Sequence, residues 1–291
     1  MLVILSDVSD VEVRKLYYYN PDKKRTINIY QFVKSSLQTL DKFLVYISEN
    51  KPRILNKFIS TLEMKYRSEG LKAPSKIELF EISQVNVDAK LLNNFPGLLE
   101  ACRDFVLGIL DIPKDNDWNS ENIELYAINI TKASQLHMYH RVKVLTEIIE
   151  REEAIDLVKN YIDQAISNRE HGQKYEDLAS ILNSHIVDAE KYEQGDRLVA
   201  SVENGRYIFR VDRCALQEAL KETNDPELSY IVACYGDYTV FKYINENFVL
   251  TRTQTLMNGS YCDSCIHDTR IVEKIEHPTK EFYDSLDRLV T

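Results

Sequence analysis

The chain is short of the residues that interrupt regular structure and of the charges that bind polyanions. Its 291 residues include eight glycines and seven prolines, a composition that favours helices and strands over long loops. Lysine and arginine number 36 against 46 aspartates and glutamates, for a net charge of −10. Nucleic acids and anionic membranes both require a basic surface, so we expect neither as a partner.

Membrane spans, secretion signals and disulfide frameworks are also missing from the pattern. No apolar run approaches the roughly 18 residues of a membrane-spanning helix. The segment Met1-Leu-Val-Ile-Leu lacks the basic region and the cleavage pattern of a signal peptide. Five cysteines, an odd number in a chain of this length, are unlike a secreted disulfide framework. These features predict a protein of the cytoplasm.

What is present divides into a helical half and a half with two hairpins. Helical spacing of apolar residues predicts helices in the first half, and the polar segment 114–120 predicts a boundary between a helical region (1–120) and an α+β domain (121–291). Asn204-Gly205 and Asn258-Gly259 supply the positive φ angles of tight hairpin turns. We predict an α+β fold whose C-terminal antiparallel sheet has about four strands, from two hairpins, packed against helices.

Two boundaries within this C-terminal region matter for the chemistry below. Asp225-Pro226 combines a helix N-cap with a proline in the first turn, which predicts one helix to about Tyr243. The second hairpin is predicted to consist of a strand from Phe248 to Met257 and another from Tyr261 to Thr269.

The last hairpin concentrates side chains that can perform chemistry. Within eleven residues, from Asn258 to Asp268, it contains two thiols, a histidine and carboxylates. Cys262 and Cys265 form a Cys-x-x-Cys motif, which is typical of redox pairs and zinc sites. In an extended strand, however, residues three apart face opposite sides. The strand geometry therefore argues against both uses of this pair.

Three thiols form a wider constellation, because Cys214, Cys234 and Cys262 belong to consecutive elements, and elements close in sequence often neighbour one another in space. One thiolate, with Cys262 at the centre, would attack a carbon while Asp237 or Asp263 orients the substrate or moves protons. The same thiols are candidate ligands of a divalent metal with a fourth ligand from elsewhere. Alternatively, Cys214 and Cys234 are small buried apolar residues, as free cysteines commonly are.

His137 and His140 are further candidates, three residues apart on one face of a predicted helix. That spacing can support a metal pair or a general base beside its partner, and a solvated helix face explains it as well. Arg213 and Arg252 are the arginines best placed to bind a substrate carboxylate through the guanidinium fork. Tyr261, beside Cys262, is predicted to line the pocket.

In their order and spacing, these C-terminal residues resemble the L-2-amino-thiazoline-4-carboxylic acid hydrolase family. That family's pattern has three cysteines, an aspartate three residues after the second, and a Gly-x-x-Cys-Asp-Phe-type motif around the third. The matching positions here are Cys214, Cys234, Asp237, Gly259, Cys262 and Asp263. Two positions depart from the pattern, since Ser264 replaces the aromatic residue and Cys265 adds a thiol.

The resemblance implies an enzyme that opens a thiazoline-type ring bearing a carboxylate by breaking a carbon–nitrogen bond, in amino-acid or natural-product metabolism. The residues it places in catalysis are Cys262, Asp263, Asp237 and Cys234. The substrate contacts are then expected from Arg213, Arg252, Tyr261 and Cys214.

Two alternatives belong to other functional classes. One is a ligand sensor without catalysis, because a sheet covered by helices also forms a good pocket. The other is a metal-dependent protein with ligands among Cys214, Cys234, Cys262, His137 and His140. In the first 120 residues, amphipathic helices without a catalytic constellation indicate a role in homodimerisation.

Overall fold

The structure, a computed structural model, describes residues 14–16, 22–70, 88–112, 122–169, 172–192 and 197–286. The strands in these ranges are β1 (Arg14–Leu16), β2 (Lys24–Asn28), β3 (Asn122–Tyr126), β4 (Arg197–Glu203), β5 (Arg206–Arg213), β6 (Phe248–Thr251) and β7 (Cys262–Asp268). The helices are α1 (Ile29–Asn50), α2 (Leu55–Gly70), α3 (Pro96–Leu110), α4 (Ala127–Ile148), α5 (Arg151–Ser167), α6 (Leu178–Tyr192), α7 (Ala215–Leu220), α8 (Pro226–Ala233), α9 (Asp237–Ile244) and α10 (Lys280–Ser285). The predicted α+β class is confirmed.

The chain forms two compact units, one of residues 21–161 and one of residues 1–20 with 162–291. We call them the helical unit and the sheet unit. This division of the chain at residues 20/21 and 161/162 differs from the domain boundary predicted at residue 120. The boundary at residue 120 stays a prediction from the sequence. No helix in the part of the chain that the structure describes is both long and apolar enough to cross a membrane.

In the helical unit, α1 begins and ends at residues that the sequence marks as helix boundaries. Asn28 caps α1, because its side-chain oxygen accepts the backbone N–H of Gln31 at 2.9 Å. Pro52 follows the end of α1 and opens a short 3-10 turn before α2. Aromatic rings fill much of the core, with edge-on or stacked contacts among Phe43, Phe58, Tyr66, Phe105 and Tyr161.

The sheet unit is built on a five-stranded antiparallel sheet of order β1-β4-β5-β7-β6. Both predicted strand pairs are present, and β1 adds a fifth strand against the outer edge of β4. The tight turn predicted at Asn258-Gly259 is wrong, because neither residue has a positive φ and ten residues join β6 to β7. Asn204 (φ 42°) and Gly205 (φ 74°) form the β4–β5 turn. These positive φ angles are those that a tight hairpin requires.

Each face of this sheet has its own apolar cluster, so β7, which lies between β5 and β6, is buried over its whole length. Cys262 and Ile266 pack in one cluster with residues of β5, β6, α6 and α9. Cys265 packs in the other cluster with Tyr261 and Tyr283. The predicted divergence of the two thiols is confirmed, and the five cysteines, all of them within the described ranges, form no disulfide with one another.

The prediction of one helix from Pro226 to Tyr243 is wrong in one respect. Residues 234–236 are not helical, and they separate α8 from α9. Gly236 lies against α5 here: a Cβ added to it would stand 3.1 Å from Ile166 Cδ1 and 3.2 Å from Ile162 Cγ2. The close approach to α5 accompanies the break, which makes Asp237 the first residue of α9.

The strand predicted from Phe248 to Met257 is too long, because β6 ends at Thr251. Beyond it, the backbone N–H groups of Thr253 and Gln254 are directed to the Asp263 carboxylate. Residues 252–261 therefore form a loop, which we call the Arg252 loop. A side chain on β7 determines this loop's conformation, and the local sequence pattern does not reveal that contact.

Candidate functional site in the Arg252 crevice

A crevice of about 180 Å³ opens beside the Arg252 loop. Its walls are two tyrosines and a series of polar side chains, namely Tyr230, Tyr238, Arg252, Thr253, Gln254, Thr255 and Asn258. The tyrosines belong to α8 and α9, so the two helices and the loop meet here. The volume is below the roughly 300–1,000 Å³ of sites for drug-sized ligands, and it suits a metabolite of few atoms.

Arg252 is the cationic residue of this crevice. Its side chain is 6% exposed, and each guanidinium nitrogen has an acceptor. Nε donates to Ser264 Oγ at 3.0 Å, Nη1 to the Cys234 carbonyl at 3.4 Å, and Nη2 to Asp237 Oδ2 at 2.9 Å. The guanidinium is thereby fixed in one orientation, the condition under which its planar fork recognises a carboxylate.

Asp237 provides a carboxyl group that is both enclosed by protein and reachable from solvent. Its side chain remains 40% exposed beside Arg252. Burial raises the pKa of the Asp237 carboxyl, and the opposing effect of the nearby Arg252 charge does not cancel that rise. A carboxyl with a raised pKa retains its proton to higher pH, as a general acid requires.

Cys262, the first residue of β7, is 8% exposed. Its sulfur accepts the backbone N–H of Leu256 at 3.3 Å, an interaction that a thiolate also makes. Cys262 and Cys234 both lie close to Arg252, and a negative charge on either sulfur would raise the pKa of the guanidinium. Neither thiol lines the crevice, whereas Arg252 does.

Cys214 follows β5 as the N-cap residue of α7 and packs against the cluster that contains Cys262. Cys234, predicted to lie within a helix, is instead the C-cap residue of α8 at the break before α9, and it is 9% exposed. Across the described ranges, no group of three His, Cys, Asp or Glu side chains is arranged to hold a metal ion. The geometry therefore lends no support to a metal site of these thiols.

His137 and His140 lie on α4 of the helical unit, both buried. His137 Nε2 lies 3.2 Å from Cys102 Sγ, and one of the Arg141 amino groups lies within 2.8 Å of the His137 ring nitrogens. The His140 ring contacts Phe105 edge-on. Burial lowers the pKa of both imidazoles, to about 4 for His140. These histidines are neutral core residues, and neither lies on a solvated face.

Asp263 stabilises the Arg252 loop from the face of β7 opposite Cys262. Its Oδ1 accepts the N–H groups of Thr253 and Gln254 at 2.8 and 2.9 Å, and its Oδ2 accepts the Thr253 hydroxyl. His277 Nε2 lies 3.4 Å from Oδ2. Burial acts to raise the pKa of Asp263, but the hydrogen bonds from these partners outweigh it and the pKa is lowered. Asp263 is thus an ionised positioning residue.

Three predicted substrate contacts, Cys214, Tyr261 and Arg213, are not among the residues that line the crevice. Tyr261 packs on the Cys265 face of the sheet, and its hydroxyl donates to Asp284 at 2.8 Å. It precedes Cys262 by one residue, so strand alternation directs the two side chains apart. Arg213 is exposed at the end of β5. Arg252 is the predicted carboxylate-binding arginine that the structure places in the crevice wall.

These groups lie in a segment of the chain that matches a known protein family. Residues 131–266 match the family described as L-2-amino-thiazoline-4-carboxylic acid hydrolase. The resemblance inferred from the sequence is confirmed over this segment, and the family's description indicates a hydrolase. Neither a curated protein nor a solved structure matches the chain significantly.

The part that matches the hydrolase family contains the Arg252 crevice and its surrounding thiols, but it ends before His277. Sequence analysis missed His277 as a partner of Asp263, and it missed Ser264 as an acceptor for Arg252. The only signal for Ser264 was its departure from the family's aromatic residue. His277 offered no signal, because a histidine before a proline is typical of an ordinary loop.

Proposed function

We propose that this protein hydrolyses a carbon–nitrogen bond in a small ring compound that bears a carboxylate, with thiazoline carboxylates as the class to test first. The observation that carries the proposal is the fixed Arg252 guanidinium in the wall of the crevice, beside Asp237 and close to two thiols. The match of this segment to a hydrolase family supports the reaction class.

Substrate binding would rest on charge complementarity in an otherwise acidic protein. With a net charge of −10, the chain offers a carboxylate few favourable surfaces, so a fixed guanidinium provides selective attraction. The substrate carboxylate would share Arg252 with Asp237, while the hydroxyl and amide groups of Thr253, Gln254 and Asn258 face the polar atoms of the ring. The crevice volume admits a five-membered ring with short substituents.

The reaction would divide between Asp237 and Cys262. Protonation of the ring nitrogen by Asp237 makes the adjacent carbon electrophilic, and the Cys262 thiolate forms a carbon–sulfur bond to it. The ring carbon–nitrogen bond then breaks as the nitrogen takes up a second proton, from solvent, and leaves as an amine with the electron pair of the bond. A water molecule adds to the same carbon and loses two protons, one to Asp237 and one to solvent, while the Cys262 sulfur departs as thiolate.

A second candidate is a ligand sensor without turnover. It is favoured by the position of Cys262, which packs among apolar side chains and does not line the crevice. In a sensor, Arg252 would still bind the carboxylate, and the thiols would serve only as core residues.

Matched pairs of variants separate the two functions. Hydrolysis of 2-amino-thiazoline-4-carboxylate would be followed by release of the ring-opened carbamoyl product, and binding by calorimetry. Cys262→Ala should reduce turnover at least about a thousandfold while binding persists, whereas Cys265→Ala, on the other face of β7, should retain it. Arg252→Gln should abolish binding, whereas exposed Arg213→Gln should not. Binding without turnover by the wild type would establish the sensor, and equal losses in both cysteine variants would refute the nucleophile.

A further inference from the structure

The helical unit contains a buried arginine with an incomplete set of partners. Arg141, on α4, is 1% exposed. Its Nη2 is the well-bonded nitrogen, with the His137 ring within 2.8 Å, Thr39 Oγ1 at 3.2 Å and the Ser36 carbonyl at 3.4 Å. Within the described ranges, the hydrogen-bond acceptor of Nη1 is the Met138 sulfur, at 3.9 Å. The Nε–H has no acceptor among the described residues.

Arg141 also lacks a counter-charge in the part of the chain that the structure describes. None of its hydrogen bonds to other described residues involves a carboxylate. Arginine does not lose its proton in proteins, so the charge remains in the core. Removing an unpaired charge from water is among the most unfavourable events in folding, and an anion beside Arg141 would relieve it.

The titratable neighbours of Arg141 do not provide that anion. Burial raises the pKa of the Cys102 thiol to about 12, although Arg141 acts in the opposite direction. Burial likewise raises the pKa of Tyr66, and it lowers the pKa of His137 well below its usual value. At neutral pH the three side chains are uncharged, and Arg141 is left as the cation of a polar cluster inside an apolar core.

We propose that the Arg141 cluster is a binding site for a small monovalent anion, such as chloride or a one-carbon carboxylate, which accepts the Nε–H and Nη1–H groups of Arg141. The depth of the site limits the ligand to very few atoms. The neutral neighbours allow an anion to approach without repulsion, and Arg141 would remain ordered through its Nη2 contacts with His137 and Thr39. The site is independent of the hydrolase proposed for the Arg252 crevice.

The test is thermal unfolding of the full chain at constant ionic strength, with chloride or formate replacing gluconate, which is too large to enter. The wild-type midpoint should rise with the logarithm of the small-anion concentration, by roughly 5 °C at a hundredfold excess over the dissociation constant. Arg141→Met should be insensitive to the anion and no less stable at low anion concentration. The matched variant Arg67→Met, at an exposed arginine of α2, should respond like the wild type.

Three results would overturn the proposal. A wild-type midpoint unaffected by chloride and formate would mean that internal water satisfies Arg141. An equal response in Arg141→Met would mean adventitious anion binding elsewhere. The third result has two parts: the unfolding midpoint responds to the anion only in Cys102→Ala, and the wild type shows the ultraviolet absorption of a thiolate. Cys102 would then be the counter-ion of Arg141, with His137 between them. If Arg141→Met does not fold, the chlorine NMR linewidth of the wild type is measured instead. The proposal requires that the protein broadens the chloride signal and that formate reverses this broadening.

Discussion

Replacement of Asp263 by asparagine should weaken the connection between β7 and the Arg252 loop. The Asp263 side chain is 4% exposed, its two oxygens accept three hydrogen bonds from Thr253 and Gln254, and His277 Nε2 lies 3.4 Å from Oδ2. Asparagine keeps one oxygen for the backbone N–H groups at 2.8 and 2.9 Å. Its amide nitrogen would replace Oδ2, so that it faces the Thr253 hydroxyl and His277 without the charge.

The size of the effect follows from these contacts. A hydrogen bond to a charged group contributes about 1.5–3 kcal/mol, and a neutral one about half of that. In Asp263→Asn, the two hydrogen bonds from backbone N–H groups are made to a neutral oxygen. The Thr253 hydroxyl loses its acceptor, because the new amide nitrogen can only donate a hydrogen bond to it. We expect the free energy of unfolding of the sheet unit to fall by roughly 2–4 kcal/mol.

The pH dependence of the free energy of unfolding shows whether Asp263→Asn destabilises the protein through the lost charge or through altered packing. The pKa of Asp263 is lowered in the folded protein, so the stabilisation that its charge supplies is complete above the unfolded-state pKa of about 3.9. It disappears as the pH falls through the lower folded value. Urea unfolding monitored by circular dichroism should therefore show a wild-type advantage over Asp263→Asn at neutral pH that shrinks below a pH of about 4.

A double-mutant cycle with Thr253→Ala provides the control. If the Asp263 carboxylate and the Thr253 hydroxyl interact as the structure shows, the two losses should be non-additive by about 1 kcal/mol or more. A loss below about 1 kcal/mol in Asp263→Asn, or a wild-type advantage that does not change with pH, would refute the reasoning. In either case Asp263 would be a packed side chain, and its charge would not stabilise the loop.

Three further predictions concern the site and its supports. If Asp237 is the general acid, turnover should decrease as pH rises through its raised pKa, and Asp237→Asn should lose about 10²–10⁴ of the rate and this pH dependence; a persisting alkaline limb would identify another acid. Gly205→Ala should destabilise the β4–β5 hairpin by more than about 1 kcal/mol, since φ is 74° and the new Cβ would lie 2.7 Å from Ile271 Cβ; an unchanged melting temperature would contradict this. Asp225→Ala should cost about 1 kcal/mol, because α8 loses the cap that accepts the Leu228 N–H at 3.2 Å; Thr279→Ala, the cap of α10, should cost a similar amount in the same urea unfolding assay.

Much of the local structure was predictable because its causes lie within a few residues of one another. Asn204-Gly205 determines a hairpin turn through its positive φ angles, and Asp225-Pro226 begins a helix. The alternation of side chains along β7 was sufficient to separate Cys262 from Cys265. The same alternation, applied one residue earlier, would have placed Tyr261 on the face opposite Cys262, where the structure has it.

The sequence alone determined the α+β class, the β4–β5 hairpin, the pairing of β6 with β7, the family resemblance and the candidacy of Arg252. The tertiary structure decided where β6 ends, because the Asp263 carboxylate on β7 withdraws the N–H groups of residues 253 and 254 from the strand ladder. It also decided the break before Asp237, where Gly236 meets α5. Contacts such as these depend on residues far apart in the chain, which propensity and periodicity cannot bring together.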